Sequence, residues 1–336
     1  MLETTNTHIV PQTPIRFAQL NANKKKAPVM ALLNDHINDY NIIFIQEPNW
    51  SFIGKEGDRT ILGTVNHATA WTPISPIPSA PDTVTPRVYA YVKISLQAEV
   101  TLRTDIVSDR DIMVLDIKPR KGKKVTYIHV YNDPSLGRQQ AMWRLRNFDL
   151  TASQAMVVTG DMNLHHIRWS RGEPRSSTIT DEIVEWMDQN LFALINKPRE
   201  PTHYPHDTGK HPSVIDLTWV NTKAAEVDAT QEWAIDQDLM TGSDHVGIRW
   251  RYDPGQAQIE NPLGVKYNLK KVKPAEWIKA FDEEVEKLGN RLTPITESVN
   301  ITRDQLDDAA EALTKAMQNA TEKVAQVRRP SPHRIL

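Results

Sequence analysis

The chain has 336 residues, with 40 Lys and Arg against 42 Asp and Glu, a formal net charge of −2 and no cysteine. That length suits one large domain with an appendage, and the even charge excludes a uniformly basic chain while allowing a local basic patch. The lack of cysteine excludes disulfides, thiolate zinc sites and cysteine nucleophiles. Residues 1–14 are polar, without the apolar core of a signal peptide, and no apolar run reaches membrane-spanning length.

Ile15-Arg16-Phe17-Ala18-Gln19-Leu20-Asn21 alternates apolar and polar side chains, which predicts a strand ending at Asn21. Lys24, Lys25 and Lys26 follow, then a helical pattern through Met30, Leu33 and Ile37. Ile42-Ile43-Phe44-Ile45 reads as a short buried strand that delivers Gln46-Glu47-Pro48 at its end. Residues 71–87 hold five prolines and read as loop. Strands are expected over 88–94, 112–117 and 125–131, and a helix over 135–151. The apolar run Ala155-Met156-Val157-Val158 predicts another buried strand, ending in Gly160-Asp161-Met162-Asn163. A helix over 180–190 places Ile183, Met187 and Leu191 at helical spacing, and strands over 214–220 and 246–252 complete the set. Many strands with few helices between them predict two packed sheets covered by helices.

After Asp253-Pro254-Gly255 the pattern becomes helical. Trp277, Phe281, Val285 and Leu288 fall on one helix face. Leu306, Ala310, Leu313, Met317, Ala320 and Val324 step by four and three, a seam too short for a coiled coil and suited to packing on its own domain or on a partner protein. The expected organisation is a flexible N-terminus (1–13), a catalytic α/β domain (14–253), a helical extension (254–327) and a disordered tail (328–336).

Acids and amides stand at the ends of these strands: Asn21, Glu47, Asp161 with Asn163, Asp216 and Asp244. Residues two apart on a strand share a face, so Asp161 and Asn163 are expected to reach one site. Oxygen donors of this kind suit Mg²⁺ or Mn²⁺, for which one or two carboxylates suffice. Glu47 backed by Asn21 is the first choice of ligand and Asp244 the next. Bound metal polarises a scissile phosphate and stabilises the leaving oxygen. Asp216 sits inside the apolar run Val214-Ile215-Asp216-Leu217, where a carboxylate calls for a partner, and His245 of Ser243-Asp244-His245 is the natural one. A charged His245 would stabilise the developing pentavalent phosphate, with Asn163 donating a hydrogen bond to it. Asp161 and His245 both qualify as the group that activates water. Lys24, Lys25 and Lys26 are candidate contacts to DNA phosphates. His165 and His166 point apart on an extended segment, so they read as loop-positioning residues rather than ligands of one ion. Trp50, Trp71 and Trp169 read as core or loop anchors ahead of groove-lining residues.

The ordered series Leu20-Asn21, Gln46-Glu47-Pro48, Val130-Tyr131-Asn132-Asp133-Pro134, Gly160-Asp161-Met162-Asn163, Ser213-Val214-Ile215-Asp216-Leu217 and Ser243-Asp244-His245 resembles the endonuclease/exonuclease/phosphatase superfamily over residues 15–252. The resemblance implies a DNase I-like four-layer α/β sandwich, here with a C-terminal helical extension. It implies metal binding at Asn21, Glu47 and Asp244, a site tyrosine at Tyr131, catalysis through Asp161 and Asn163, and an Asp216–His245 pair. Leu20-Asn21-Ala22-Asn23, Tyr131-Asn132-Asp133-Pro134, the run from Asp161 through His165-His166-Ile167-Arg168-Trp169, and Pro201-Thr202 with Asp216-Leu217-Thr218-Trp219 look like the endonucleases of non-LTR retrotransposons, especially the fungal kind. Such enzymes nick one strand of duplex DNA and leave a 3′-hydroxyl that primes reverse transcription, which implies a nuclear location. The expectation is such a nicking domain without its reverse transcriptase, since no Tyr/Phe-x-Asp-Asp motif is present. Abasic-site endonucleases usually read Gln-Glu-Thr where this chain has Gln46-Glu47-Pro48. An abasic-site endonuclease, a small-molecule phosphodiesterase of the same superfamily, and a non-catalytic DNA-binding remnant stay open as alternatives.

Overall fold

On the first strand, β1 (Ile15–Asn21), Ile15 and Phe17 point to one face and Ala18 and Leu20 to the other, and both faces are buried. The computed structural model describes residues 13–57, 59–67, 69–77, 85–148, 154–170, 176–207, 209–254, 272–289, 292 and 303–325. Residues 1–12 of the N-terminus expected to be flexible (1–13) and the tail expected to be disordered (328–336) lie outside the described residues. The chain divides into two compact units, residues 1–259 and 260–336.

The first unit contains two six-stranded mixed sheets. One has β13 (Gln231–Asp236), β14 (Gly247–Tyr252), β1, β2 (Ile42–Gln46), β6 (Val88–Lys93) and β5 (Trp71–Ile74) side by side. The other has β11 (Phe192–Leu194), β12 (Asp216–Asn221), β10 (Ala155–Asp161), β9 (Val125–Tyr131), β8 (Ile112–Pro119) and β7 (Ala98–Leu102). Each sheet has a central parallel pair, β1 with β2 and β9 with β10, flanked by antiparallel neighbours. The inner faces meet in one apolar cluster that includes Phe17, Phe44, Val88, Leu115, Tyr127, Val157 and Trp250. Phe17 stacks on Trp250 at 5.1 Å and lies tilted against Tyr127 at 4.7 Å, so burying it contributes roughly 2–3 kcal/mol in transfer alone. Helix α1 (Lys26–Asn34) covers the outer face of the first sheet through Val29, Leu32 and Leu33. The short α2 (Ala141–Arg144) and α3 (Thr178–Gln189), the latter capped by Ser177, cover the other through Met142, Ile183, Val184 and Met187. A short fourth helix, α4 (Thr222–Glu226), follows β12. The architecture is the expected four-layer α/β sandwich.

Local expectations fail where edges and turns decide. Residues 71–74, expected to be loop, form β5, which pairs with β6 alone; Pro73 cannot donate to a ladder, and an edge strand tolerates this on its open side. The helix expected over 135–151 is broken. Pro134–Gln139 is a 3₁₀ turn with Gly137 at φ 55°, only Ala141–Arg144 is α-helical, and residues 149–151 lie outside the described set. Helix α3 ends at Gln189, leaving Leu191 60% exposed beyond it. The hairpin of β3 (Ser51–Glu56) and β4 (Arg59–Gly63) pairs with neither main sheet and has no marked alternation.

The second unit holds α5 (Pro274–Glu286) and α6 (Arg303–Val324), packed on each other. Trp277 stacks on Phe281 and donates to Thr321 at 3.0 Å. The buried stripe of α6 is Ala309, Ala312, Ala316 and Ala320, with Leu306 and Met317 about half exposed. The expected seam is therefore rotated: small residues face inward, and they set the distance to which two helices can approach. Among the described residues no helix is long and apolar enough to cross a membrane.

Candidate active site

The inner faces of the central strands change character along their length. Phe17, Gln19 and Asn21 follow one another on β1; Tyr127, His129 and Tyr131 on β9; Val157, Thr159 and Asp161 on β10; Val220, Thr218 and Asp216 on β12. Register aligns these series, pairing Val157 with Tyr127 and Val220, Thr159 with His129 and Thr218, and Asp161 with Tyr131 and Asp216. An apolar floor thus gives way to a buried polar layer and then to a row of ionisable groups at one end of both sheets. In the polar layer Thr159 hydrogen-bonds Gln19 and lies 3.1 Å from Thr218, while His129 bonds the Ile45 carbonyl and Gln46. Buried polar groups need such partners, and the layer fixes the row above it.

Asn21 brings the sheets together: its amide donates to Asp161 Oδ2 at 2.8 Å, and Asn23 N donates to its Oδ1 at 2.8 Å. Gly160 precedes Asp161 with φ 150°, and a Cβ there would lie 1.9 Å from the Val130 carbonyl oxygen, so only glycine fits. Asn163 meets Asp161 by a different route from the strand alternation expected. β10 ends at Asp161 and Asn163 turns back at φ 47°, its side chain donating to Asp161 Oδ2 and to the Asn132 carbonyl, both at 3.0 Å. Both amide protons are engaged in these two contacts, which hold Asp161 in place.

His245 Nδ1 lies 2.9 Å from Asp216 Oδ2, the expected pair, with Asp216 itself 1% exposed. Burial alone would lower the imidazole, but the charge and hydrogen bond of Asp216, with Asp161 and Asp244 behind them, raise it to about 9. Burial, reinforced by the charge of Asp216, pushes Asp161 up against the pull of His245 and Asn21. Asp244 accepts from Asn23 Nδ2 at 2.8 Å and lies 3.5 Å from His203 Nε2. Although burial opposes it, the Asn23 bond and the His245 charge hold Asp244 below the usual carboxylate range. Ser243 Oγ donates to the Asn21 carbonyl and accepts from His245 N, tying the two ends of the site together.

Glu47 stands at φ 45° at the end of β2 beside a cleft of ≈ 460 Å³, lined also by Lys24, Trp50, Arg87, Arg110 and Tyr131. Burial first, then the charges of Glu47 and Asp161, raise the Tyr131 hydroxyl, so it stays protonated. Lys24 Nζ lies 3.4 Å from Glu47, Lys25 donates to the Gly242 carbonyl at 2.7 Å, and Lys26 is exposed at the start of α1. Asn21, Glu47, Asp161 and Asp244 each offer side-chain oxygen, and Asp216 Oδ1 is buried without a hydrogen-bond partner. Hard, anionic oxygen of this kind fits a divalent cation, and ligand atoms of Asp161, Asp216 and His245 lie within 4.8 Å of one another.

Two site neighbours, Arg87 and His203, carry no sequence signal of their own. Arg87 lies over the Tyr131 ring at 4.8 Å and bridges Asp111 and Asp133. Thr202 Oγ1 accepts from Ile215 N and Asp216 N, which gives Pro201-Thr202 its physical purpose. His203 rests on His245 with ring centroids 4.5 Å apart. His166 accepts from Arg168 N and packs on Trp169, while Trp50, Trp71 and Trp169 donate to the carbonyls of Pro86, Leu33 and Leu164. These are anchoring contacts.

Residues 125–249 match the family model described as endonuclease-reverse transcriptase. No curated protein matches the sequence. Among solved structures, the endonuclease domain of TRAS1, a telomere-specific non-LTR retrotransposon, is 19% identical with a TM-score of 0.54, covering 71% of this chain and 98% of that one. The 3′-5′ exonuclease NExo from Neisseria meningitidis is 16% identical with a TM-score of 0.49, covering 71% and 100%. The catalytic domain of Xenopus laevis APE2 is 14% identical with a TM-score of 0.47, covering 71% and 92%. With two mixed six-stranded sheets between helices, the first unit has the DNase I-like fold, and residues 125–249 resemble the endonuclease-reverse transcriptase family.

Proposed function

We propose that the first unit is a divalent-cation-dependent DNA endonuclease that hydrolyses a phosphodiester and leaves a 3′-hydroxyl. The observation that carries this reading is the row Tyr131–Asp161–Asp216 with His245, joined across the sheets by Asn21. The likeness to the TRAS1 endonuclease domain supports DNA as substrate, and a nuclear location follows from that substrate.

Asn21, Glu47 and Asp244 would hold Mg²⁺ or Mn²⁺, which supplies charge stabilisation at the scissile phosphate and leaving oxygen. Asp161, clamped by Asn21 and Asn163 and raised by burial, orients the attacking water and takes its proton. His245, kept protonated by Asp216, stabilises the charge that develops on the phosphoryl oxygens, which favours Asp161 over His245 as base. Tyr131 keeps its proton and donates to the phosphate. Asn163 is a positioning residue. The water oxygen bonds to phosphorus as the P–O3′ bond breaks, and the departing oxygen gains a proton. Lys24, Lys25 and Lys26 contact neighbouring phosphates, which add affinity without sequence choice. A non-catalytic remnant would have no need to keep Asp216 and His245 paired in the interior, since a buried ion pair is a poor source of stability.

The test is nicking of supercoiled plasmid by the full chain. Mg²⁺ or Mn²⁺ is expected to support conversion to open circles with 3′-hydroxyl ends. EDTA, Glu47→Ala and His245→Ala are each expected to lower the rate by about 100-fold or more. A folded wild-type protein that never nicks with either metal overturns the reading.

A further inference from the structure

We propose that His203, Asp244 and His245 form a site for a first-row transition dication of the zinc kind, and that its occupancy silences the nicking centre by engaging the imidazole of His245. One potential ligand atom from each of the three residues lies within 4.8 Å of the others. The His203 Nε2 to Asp244 Oδ2 separation is 3.5 Å. Two ligands at zinc bond lengths and a tetrahedral angle stand about 3.4 Å apart, so this edge is already at metal-binding spacing. Two imidazoles and one carboxylate are the donors such ions prefer, whereas Mg²⁺ prefers an oxygen shell.

Each ligand is aimed by a second partner. His203 Nδ1 lies 3.2 Å from Ser213 Oγ, which leaves Nε2 toward Asp244. His245 Nδ1 is held by Asp216 at 2.9 Å, which leaves its Nε2 as the ligand atom. Asp244 Oδ1 accepts from Asn23 at 2.8 Å, which leaves Oδ2. Metal-binding imidazoles characteristically have the second nitrogen tied to an oxygen partner, and both do here. The backbone is fixed as well: His203 forms bridges to Ser213 and His245, and Tyr204 N donates to the Asp244 carbonyl at 2.7 Å. The three donors are therefore preorganised on paired backbone rather than carried on a free loop.

Binding stands apart from the proposed activity. Silencing rests on that activity, because it takes His245 from the phosphate and shares Asp244 with the Mg²⁺ ligands. The experiment titrates Co²⁺ into the full chain in excess Mg²⁺ and reads its d–d absorption, with Zn²⁺ as competitor. One equivalent is expected to bind and to be displaced by Zn²⁺. His203→Phe, which keeps a ring against His245 and removes the nitrogen, is expected to weaken binding by about 10-fold or more, whereas His206→Ala, at an exposed neighbouring histidine, leaves it intact. Nicking is then compared with and without one equivalent of Zn²⁺ within each protein, so that changes in basal rate cancel. Zn²⁺ is expected to cut the wild-type rate about 10-fold and to leave that of His203→Phe nearly unchanged. Wild-type protein that nicks with Mg²⁺ but binds no Co²⁺ overturns this site and leaves the nuclease reading in place. One-equivalent binding without any Mg²⁺ nicking supports the site and removes the nuclease reading. Retained binding in His203→Phe, or loss in His206→Ala instead, overturns the assignment of His203.

Discussion

A Cβ at Gly160 would stand 1.9 Å from the Val130 carbonyl oxygen, and that oxygen belongs to the central parallel pair of its sheet. Neither neighbour can retreat without breaking the ladder that sets Asp161 beside Tyr131. Gly160→Ala is accordingly expected to cost about 3 kcal/mol or more, read as a lower urea midpoint at unchanged m-value. A loss below about 1 kcal/mol would contradict the close approach described here. The same chemistry explains which site residues are legible in the sequence. A carboxylate or amide at the end of an apolar run, as at Asn21, Glu47, Asp161 and Asp216, is costly unless something answers it, so it marks itself. His203, Asn23 and Arg87 do not. Arg87 meets partners 24 and 46 residues away, and Asn23 reaches Asp244 across 221 residues. Nothing local distinguishes them from surface side chains.

At the scale of the element, β9 shows how one strand serves both core and site. Tyr127 lies in the apolar cluster, His129 in the polar layer and Tyr131 at the site, two residues apart each time. Burial lowers His129 from 6.5 to about 4, so it is neutral in the fold and protonates more readily in the unfolded chain. A depressed folded value contributes stability that is fully present above the unfolded pKa and lost as pH falls toward the folded one. His129 is thus expected to withdraw up to about 3 kcal/mol between pH 6.5 and 4. His129→Gln removes the titration, so its unfolding free energy should fall less steeply than that of the wild type across that window. Parallel curves for the two proteins would mean that His129 is not held neutral by the fold. Elements such as β9 are legible because a long run of β-branched and aromatic residues has few other uses. β5, β7, β11 and the β3–β4 hairpin are short or at an edge, where pairing partners rather than local composition decide. The expected helix at 135–151 fails for a related reason: Gly137 and an extended Gln140, buried against Asn132, bend the chain around the site.

Across the whole molecule, the two sheets share one plan: a parallel central pair with two antiparallel strands on each side. Their inner faces form one core and their polar ends one site, so neither sheet can be completed without the other. Among the described residues, the apolar clusters of the first unit draw on residues from Ile15 to Tyr252. Among the described residues of the second unit, the buried side chains of α6 are mostly alanines, and Leu306 and Met317 are about half exposed. Isolated helices gain little from propensity alone, and a pair that buries mainly methyl groups recovers little of its conformational entropy. A chain ending after residue 254 is therefore expected to unfold in one cooperative thermal transition with native near-ultraviolet circular dichroism, and to keep Mg²⁺-dependent nicking within about threefold of the full chain on the proposed reading. Residues 260–336 alone are expected to show weak helicity and no cooperative melt. If the shortened chain lost its near-ultraviolet signal or melted over a broad range, its core would not be self-sufficient. If it stayed folded and lost only nicking, the helices would contribute to DNA engagement rather than to the fold, and plasmid binding by the two chains would separate those functions.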